Sequence, residues 1–559
     1  MRIRIIPDAM GGSNGRGVLS WPSTAPWGRA VAGTGAPIRT SHGGYDLPNR
    51  MSRARGNPQR GIGPESAAPT AAWPIVAWLS TVALLSACTV GPDFKRPQPP
   101  TAPTYTEQPL PAATVDAPVP AGASQQFIAG RDLQKQWWTL FRSEPLDRLV
   151  EAALRDNPSV AQAKAALRQA RENLAAERGS LWPSVVASGG VAREREAAAV
   201  TGLPYAETFT LYNASVGVSY AFDIFGGVRR QLEALQAQVD VGRYQLDATY
   251  LALTANVANA AFREASLRAQ WQAIKDIEQL QQRQLDVVER RFSLGAVAKS
   301  DVLAQRTALA QTHASLAPLE RQVAQARDQL AIYIGRAPSE AQLPRFDLEN
   351  LQLPVELPVA VPSTLVRQRP DILAAESLLH AASAQVGVAT ADLYPKLTLS
   401  ASAGVDAFKA SKLFESNAFG WSIGAGIVAP IFNGGQLQAR RRAAEAAYDA
   451  AAASYQQTIL SAFGGVADAL NALDADARTL QADADAQAQA RAALDLAQSQ
   501  FGAGAVSYLA LLNAQQQYQQ TRVALVQAQA DRYADTVALF TALGGGWWDG
   551  DERASASNP

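Results

Sequence analysis

The sequence carries the same set of landmarks twice, in the same order and at nearly the same spacing. The landmarks are two prolines, an Ile-Phe pair and a Phe-x-x-Gly-Ala-Val turn, and the matched positions are Pro158 and Pro370, Pro183 and Pro395, Phe225 and Phe432, and Gly295 and Gly504. Their separations are 212, 212, 207 and 209 residues. Such a repeat indicates a duplicated structural unit, so we expect two copies of one architecture in the 559 residues.

Each copy reads as a helix, two strands, a very long helix and a return helix, which makes the chain mainly α. Over residues 228–294 apolar side chains recur at steps of three and four, a helical stripe with a tendency to supercoil. This helix would be about 100 Å long at 1.5 Å per residue, and residues 436–501 predict a second one of similar length. The flanking helices, over residues 146–181 and 301–334, are shorter, so that two end to end match one long helix. Gly464-Gly465 and Pro318 predict kinks.

Four segments of about ten residues alternate apolar with small or polar side chains, as strands of outer-membrane barrels do. The weakest covers residues 184–193, and the apolar series of the others are Tyr212, Ala214, Val216, Val218, Tyr220 and Phe222; Leu397, Leu399, Ala401, Ala403 and Val405; and Trp421, Ile423, Ala425 and Ile427. A half-buried soluble sheet would show the same alternation. In the membrane interpretation Val216 and Val218 face lipid, while Ser215 and Gly217 face the lumen.

Four transmembrane strands are too few for a barrel. A closed barrel needs about eight, and an open sheet edge in lipid would leave backbone N–H and C=O groups unpaired. Other copies of the chain must therefore complete the barrel, which predicts an obligate homo-oligomer without fixing the number of copies.

The single cysteine, Cys88, ends an apolar stretch that follows several arginines. Basic, apolar and then small residues are the order of an export signal, and the final Leu-Ser-Ala-Cys resembles the bacterial lipobox, whose cysteine becomes the lipidated N-terminus. Thr89 follows instead of aspartate, which implies sorting to the outer membrane. A transmembrane anchor is an alternative, but about 17 residues containing Pro74 are short for one. A buried cysteine is another.

The N-terminal 50 residues fit neither a signal nor a repeat, so we predict that translation starts at Met51. The predicted organisation is a misassigned leader (residues 1–50), a lipoprotein signal peptide (51–87), a lipidated N-terminus with a Pro-rich tether (88–135), a first repeat (136–350), a second repeat (351–548) and a polar tail (549–559).

Composition argues against catalysis and nucleic-acid binding. Lys plus Arg equals Asp plus Glu at 50 each, so there is no basic footprint for nucleic acid. One cysteine and three histidines exclude a Cys/His metal cluster. Asp474, Asp476, Asp483 and Asp485 lack the glycine-centred loop of a calcium site, and they predict a solvated helix face or tunnel lining. We therefore predict no enzyme activity, no metal and no cofactor except a covalent lipid on Cys88.

Seven motifs in one order resemble the TolC-like outer-membrane factor family, in particular its OprM- and NodT-type efflux lipoprotein branch. They are Cys88-Thr-Val-Gly-Pro-Asp-Phe94, Trp137-Trp-Thr-Leu-Phe141, Phe222-Asp-Ile-Phe-Gly226, Gly295-Ala-Val-Ala-Lys-Ser-Asp301, Arg369-Pro-Asp371 with Ala375-Glu376, Pro430-Ile-Phe-Asn-Gly-Gly435 and Ala542-Leu-Gly-Gly-Gly-Trp547. The resemblance covers about residues 88–547. It implies a homotrimer with a twelve-stranded outer-membrane barrel, continued by an α-helical tunnel in the periplasm of a Gram-negative bacterium.

The resemblance also implies a function and partners. The chain would be the passive exit duct for drugs or other small molecules, supplied through a periplasmic adaptor by an inner-membrane pump of the RND type. The adaptor-docking tips would be the two glycine turns, formed by Leu294, Gly295, Ala296 and Val297 and by Ala503, Gly504, Ala505 and Val506.

The aperture departs from the family pattern. Family channels carry an acidic residue shortly before the second tip glycine, whereas Gln498 and Gln500 occupy that stretch here and Asp495 is the nearest carboxylate. We therefore expect the closed aperture to be held by hydrogen bonds and packing rather than by ion pairs.

A periplasmic coiled-coil adaptor, also lipid-anchored and helical, is the alternative function. An adaptor would need a lipoyl-like β domain around one helical hairpin. Two hairpins with two pairs of strands favour the channel.

Overall fold

The computed structural model describes residues 89–547, apart from residues 101, 110, 198 and 200–203. The predicted leader and signal peptide, the lipidation site Cys88 and the polar tail lie outside the described residues. Within the described part, the order of helix, two strands, long helix and return helix occurs twice, so the predicted duplication is confirmed.

Each repeat is preceded by a short strand. The first half of the chain contains β1 (Gln126–Ala129), α1 (Glu144–Asp156), α2 (Pro158–Arg178), β2 (Ser184–Glu196), β3 (Glu207–Phe222), α3 (Gly227–Ser293) and α4 (Lys299–Tyr333). The second half contains β4 (Glu356–Val359), α5 (Pro362–Leu365), α6 (Pro370–Ala391), β5 (Lys396–Ala407), β6 (Phe419–Val428), α7 (Gln436–Gly502) and α8 (Tyr508–Ala542). Single 3₁₀ turns lie at Trp137–Phe141, Gly179–Leu181, Leu348–Asn350, Ala410–Lys412 and Ser416–Ala418.

The prediction of one helix over residues 146–181 is wrong, because Asn157 separates α1 from α2. Its backbone is extended (φ −69°, ψ 128°), and its side-chain oxygen accepts a hydrogen bond from the N–H of Ser159 at 2.8 Å. The ring of Pro158 disfavours a helical conformation at the preceding residue, while proline itself suits the first turn of a helix. Asn157 therefore ends α1 and caps the start of α2.

The two strand pairs form one antiparallel sheet in the order β2-β3-β5-β6. Its register places Val216 between Ala187 and Ala403, and places Ser215 next to Ser188, whose hydroxyl oxygen lies 2.9 Å from that of Ser215. Since side chains alternate between the two faces of a sheet, the apolar series of all four strands come to lie on one face. The other face carries mostly serines and glycines, as the alternation predicts.

Both outer strands of this sheet have one unpaired edge within the described part of the protomer. β2 is hydrogen-bonded only to β3, and β6 only to β5. An exposed apolar sheet with two open edges is not stable in lipid on its own. The counting argument for an oligomer therefore applies to the sheet as it is observed.

The long helices α3 and α7 contain 67 residues each, which corresponds to about 100 Å and confirms the predicted length. α3 packs against α4, and α7 packs against α8, so that each repeat presents one long hairpin. α7 continues through Gly464-Gly465 and α4 continues through Pro318 as uninterrupted helices. The kinks expected at these positions stay predictions.

A cluster of buried aromatic side chains joins the two repeats near the middle of the long helices. Phe141 packs against Phe262 of α3 with ring centroids 4.8 Å apart, and Phe262 lies 5.3 Å from Tyr533 of α8. Trp137 contacts Phe540 at 5.6 Å, and both are fully buried. The cluster explains the Trp137–Phe141 motif, because edge-to-face and tilted aromatic contacts stabilise a core beyond simple burial.

The N-terminal segment, residues 89–129 as described, is docked on the body of the protein rather than free of it. β1 pairs in parallel with β4, with Gln126 opposite Glu356. Arg532 of α8 is fully buried and donates to Gln125 Oε1 at 2.7 Å and to the carbonyl oxygen of Ala123 at 3.2 Å. The first described part of the chain is therefore held by its last helix.

Among the helices of the described residues, one, α6, is long and apolar enough to cross a membrane by length and composition alone. Half of its apolar stretch is buried, and it packs against α3 and α7. Core helices of soluble regions pass the same test, and this packing is that of a core helix.

Candidate functional site

The two predicted tips are the turns that end α3 and α7, and they have the same backbone structure. Gly295 and Gly504 both have positive φ, 74° and 77°. The N–H of Ala296 donates to the carbonyl oxygen of Arg291, and the N–H of Ala505 donates to that of Gln500, each at 2.8 Å. This bond and the left-handed glycine define a Schellman motif. The duplication thus preserves the helix-ending turn, with the same glycine conformation and the same hydrogen bond, at both tips.

Both tips are exposed to solvent, and most of their residues are glycine or alanine. Gly295, Ala296, Ala503, Gly504 and Ala505 are exposed, and Leu294 is 82% exposed. Val297 and Val506 are half-buried and pack against a small apolar cluster between the hairpins. A Cβ atom added at either glycine would meet no atom within 4 Å. The structure therefore places the predicted tip residues in two matching, open turns at the same end of the helices.

The three residues of the predicted aperture region lie in the last turns of α7. Asp495 is exposed and forms an ion pair with Arg491 at 3.2 Å, one helical turn away. Gln498 and Gln500 are half-buried. The structure does not bring these three side chains into contact with one another, and contacts across the aperture need three protomers.

An ion pair connects the second hairpin to the first one about five helical turns from the tips, and hydrogen bonds within the second hairpin surround it. Arg522 of α8 pairs with Asp276 of α3 at 3.2 Å and donates to the hydroxyl of Tyr518 at 3.2 Å, while Arg491 donates to the same hydroxyl at 3.3 Å. Burial alone would raise the pKa of Tyr518, but the hydrogen bonds from the two guanidinium groups lower it. Within one protomer, the ion pair between Arg522 and Asp276 does join the hairpins. The expectation that hydrogen bonds and packing close the aperture between protomers stays a prediction.

A second connection lies directly at the tips and was not predicted from the sequence. The guanidinium of Arg291 in α3 donates to the carbonyl oxygens of Phe501 and Gly502, each at 2.7 Å, and lies 4.7 Å from the ring of Phe501. These are carbonyls at the C-terminus of α7, where a positive charge is favourable. The available signal was the break in repeat symmetry, because Gln500 stands where the first repeat has Arg291.

The residues that follow Cys88 are docked where the sheet meets the helices. The N–H of Val90 donates to the carbonyl oxygen of Phe225 at 3.1 Å. Arg230, which is buried, donates to Val90 O at 3.2 Å and pairs with Asp93 at 2.7 Å. Phe225 lies three residues beyond the end of β3. Thr89 is thus held beside the end of the transmembrane sheet.

The four aspartates considered as a calcium ladder do not share one environment. Asp474 pairs with Arg478 at 3.0 Å, whereas Asp476 is half-buried beside Asp535. Burial, the hydrogen bond with Asp535 and the negative charges of Asp535 and Asp531 raise the pKa of Asp476 to about 8. Asp476 therefore does not lie on a solvated helix face, and the tunnel lining given as the alternative stays a prediction. Among residues 89–547 as described, no group of three His, Cys, Asp or Glu side chains is arranged to hold a metal ion.

A groove of about 860 Å³ beside the aromatic cluster contains several charged residues. Glu264 is fully buried there, accepts a hydrogen bond from the N–H of Phe346 at 3.2 Å and pairs with Arg327 at 3.3 Å. Burial raises the pKa of Glu264, while that hydrogen bond and the nearby arginines oppose the shift. Arg327 also donates to Leu343 and Pro344 carbonyls. These groups attach the connection between the two repeats to the helices, so Glu264 and Arg327 have a structural role.

The chain is similar to known proteins over most of its length. The model of the family described as outer membrane efflux protein matches twice, over residues 149–336 and 361–545, which together are more than half of the chain. The probable efflux pump outer membrane protein TtgC of Pseudomonas putida is 29% identical over 492 residues, covering 86% of this chain and 98% of that protein. The probable outer membrane lipoprotein SilC of Salmonella typhimurium is 27% identical, covering 84% and 98%.

A solved structure agrees with these sequence matches. The structure of the outer-membrane channel OprN superimposes with a TM-score of 0.72 at 29% sequence identity, covering 82% of this chain and all of that one.

Proposed function

Since the chain belongs to the outer membrane efflux protein family, we propose that it is the passive exit duct of a tripartite efflux system, carrying drugs or other small molecules out of the cell. The observation that carries the proposal is the joining of two parts in one protomer. An apolar four-stranded sheet with two open edges continues into two helical hairpins about 100 Å long, whose tips are identical turns.

The membrane part of the duct is a trimeric barrel in the outer membrane. Three protomers contribute twelve strands, which are enough to close a barrel, whereas the four strands of one protomer leave two edges open. The strands continue directly into α3 and α7, so the helices lead away from the barrel as a tunnel in the periplasm. The lumen is then lined by the serine- and glycine-rich face of the sheet.

The duct itself performs no chemistry in this proposal. Family members and relatives are transport proteins. The buried charged groups of the described residues, such as Glu264 with Arg327 and Arg532 with Gln125, have partners that hold chain segments together. A pump elsewhere must therefore supply the energy, and we assign this role to an inner-membrane pump of the RND type.

A periplasmic adaptor docks at the two tips in this proposal. Glycine and alanine at the turns leave the backbone accessible, and small residues allow a second chain to approach a helix end closely. The tie from Arg291 to Phe501 and Gly502 joins the hairpins at the tips, and the pair between Arg522 and Asp276 joins them about five helical turns farther up. Docking that separates the hairpins would have to break these contacts, which makes them the coupling between adaptor and aperture.

The proposed function predicts conduction without an energy source. Purified trimers in a planar lipid bilayer should give stepwise ionic currents under voltage alone, with no nucleotide and no proton gradient. Because hydrogen bonds and packing are expected to hold the aperture, the resting conductance should change little between pH 5 and pH 8.

Two results would contradict this. Trimers that give no current even when Arg291→Ala and Arg522→Ala remove the contacts between the hairpins would exclude a duct. An aperture that opens sharply across that pH range would exclude closure without titrating groups. The intact trimer, verified on an unheated gel, is the necessary control for both measurements.

We further propose that Cys88 carries a diacylglyceryl group on its thiol and a fatty acyl chain on the amino group freed by signal cleavage. The docking of Val90 beside the end of β3 supports this, since it holds the chain that follows Cys88 at the edge of the membrane sheet. Cys88→Ala should abolish incorporation of radioactive fatty acid, whereas Ser86→Ala, two residues upstream, should retain it. Unchanged labelling of Cys88→Ala would exclude the lipid. Trimers should still form, because the strands are unaltered.

A further inference from the structure

Basic and acidic residues alternate at the outward end of the four-stranded sheet. β2 ends on the sequence Arg193-Glu194-Arg195-Glu196. Since successive side chains of a strand point to opposite faces, the two arginines lie on one face and the two glutamates on the other. Val191 lies opposite Tyr212 of the apolar series, and the arginines follow Val191 at steps of two. The arginines therefore continue the face that carries the apolar series, the apolar face, beyond its last valine.

These two arginines are the only charged side chains that the four strands, as described, place on the apolar face. Thr210 and Thr208 of β3 lie opposite them. Within the described residues no ion pair joins the arginines to a carboxylate. Charge is therefore sorted by face at this end of the sheet. The carboxylates of the same region all lie on the other face, and they are Glu194, Glu196, Glu207 and Asp406.

The arginines lie where the hydrocarbon of a membrane would end. The apolar series of β3 runs from Phe222 to Tyr212, about 34 Å at 3.4 Å per residue. At a strand tilt of about 40°, this length corresponds to about 26 Å along the membrane normal, close to the height of about 25 Å that the apolar band of an outer-membrane barrel has. Arg193 lies one step beyond the row of Tyr212. It is therefore just outside the band, and Arg195 lies farther out.

A further cation and exposed aromatic residues mark the same level. β5 ends opposite Tyr212, and Lys409, two residues farther, keeps an extended backbone (φ −134°, ψ 135°). Continuing the register brings Lys409 to the row of Arg193. Just below that row, Phe419 and Trp421 of the apolar face are 59% and 70% exposed. Aromatic side chains at this level are typical of the interface between hydrocarbon and headgroups.

Cations at the edge of the hydrocarbon meet the anionic groups of lipid headgroups. Arginine suits phosphate in particular, because its planar guanidinium donates two parallel hydrogen bonds to it. The aliphatic part of the side chain lies along the apolar face while the charged end reaches the headgroups. Since the helices lead into the periplasm, this end of the sheet belongs to the outer leaflet. In Gram-negative bacteria the lipid of that leaflet is a glycolipid that carries phosphate groups.

We propose that Arg193 and Arg195 bind the phosphate groups of the glycolipid in the outer leaflet, with Lys409 as the neighbouring cation of the same site. The sorting of charge by face carries the proposal, because charges needed only for solubility could have either sign on either face. Phosphate complements the positive face, and it would be repelled by the carboxylates of the other one. The inference rests on the lipid-facing orientation of the apolar face in the duct proposed above.

The experiment titrates the purified full-length trimer, in an uncharged detergent, with diphosphorylated lipid A and counts the bound lipid by native mass spectrometry. Arg193→Gln with Arg195→Gln should weaken binding about tenfold or more, since the loss of one hydrogen bond to a charged group already costs about that factor. The matched control is Glu194→Gln with Glu196→Gln. It removes two charges from the other face of the same strand and should leave binding unchanged.

Dephosphorylated lipid A and inorganic phosphate identify what is recognised. The parent trimer should bind the dephosphorylated lipid as weakly as the arginine variant binds the phosphorylated one, and an excess of inorganic phosphate should not displace bound lipid. Equal binding of both lipids by the parent, or equal binding of phosphorylated lipid by the parent and the arginine variant, would exclude the site. Displacement by inorganic phosphate would show an anion site that does not select lipid, which would also overturn the proposal.

Trimer formation and conduction separate this proposal from the duct itself. The arginine variant should run as a trimer on an unheated gel and conduct like the parent in a planar bilayer, because neither residue lies at the tips or the aperture. A parent trimer that conducts and binds no phosphorylated lipid would exclude the lipid site while the duct stands. A parent protein that forms no trimer would overturn the duct, and with it the orientation of the apolar face.

Discussion

Arginine in place of Val218 is expected to prevent stable assembly of the barrel, whereas arginine in place of Ser215 is expected to be tolerated. Val218 lies opposite Val185 and Ala401 on the apolar face, and Ser215 lies opposite Ser188 on the other face. Val218 lies about 13 Å along the strand from Phe222. Val218 is therefore near the middle of an apolar band about 25 Å tall. A lipid-facing arginine there costs about 2–4 kcal/mol, and a trimer contains it three times.

The measurement is the amount of heat-modifiable trimer in outer-membrane fractions, followed by its dissociation temperature in detergent. Val218→Leu is the control at the same site, since it changes the size of the side chain without adding charge. Equal amounts of trimer from Val218→Arg and Ser215→Arg would show that the apolar face does not face lipid.

Tryptophan at Gly295 or Gly504 is expected to abolish adaptor docking while the trimer stays intact. A Cβ atom at either position meets open space, so the side chain does not disturb the protomer. It would instead occupy the volume into which a docking helix must come. Positive φ at both glycines adds a strain of about 1–2 kcal/mol for any other residue. Gly295→Ala and Gly504→Ala are the controls, because they carry the same strain without a large side chain.

Docking can be measured by cross-linking the adaptor to a cysteine at Ala296 or Ala505, and its consequence by survival on an exported compound. The alanine variants should retain most of both signals, and the tryptophan variants should lose them. Tryptophan variants that still cross-link would place the docking surface away from the tips. Loss of the trimer itself would mean that the turns serve assembly.

Periodicity made most of the architecture predictable. Apolar residues recur with a period near 3.5 in the long helices and with a period of 2 in three of the four strands. Both periods appear wherever one face of an element is buried, so they predict the element without knowledge of its neighbours. β2 was the weakest prediction because Val185-Val186 and Gly189-Gly190 interrupt the alternation. The tips were predictable because glycine ends helices in a left-handed conformation and the duplication marks both of them.

Contacts between distant parts of the chain were not predictable. Nothing in the local sequence pairs Arg532 with Gln125, 407 positions away, or brings Asp476 next to Asp535. Arg532 and Asp476 are single polar residues on helix faces, and such residues are ordinarily exposed to solvent. The tie from Arg291 was missed for another reason, since an arginine near a helix C-terminus already has a local explanation.

The docking of the N-terminal segment on α8 has a consequence for the order of folding. Gln125 donates to the hydroxyl of Thr536 at 3.1 Å across 411 positions, and Trp137 packs on Phe540. Contacts of such separation form slowly, since nearly the whole intervening chain must be placed first. A polypeptide that stops before α8 lacks the contacts of Trp137 with Phe540 and of Phe141 with Tyr533, which leaves part of the aromatic cluster exposed to quality-control proteases. The part of the mature chain that is synthesised first therefore completes its packing only after the last helix has been synthesised.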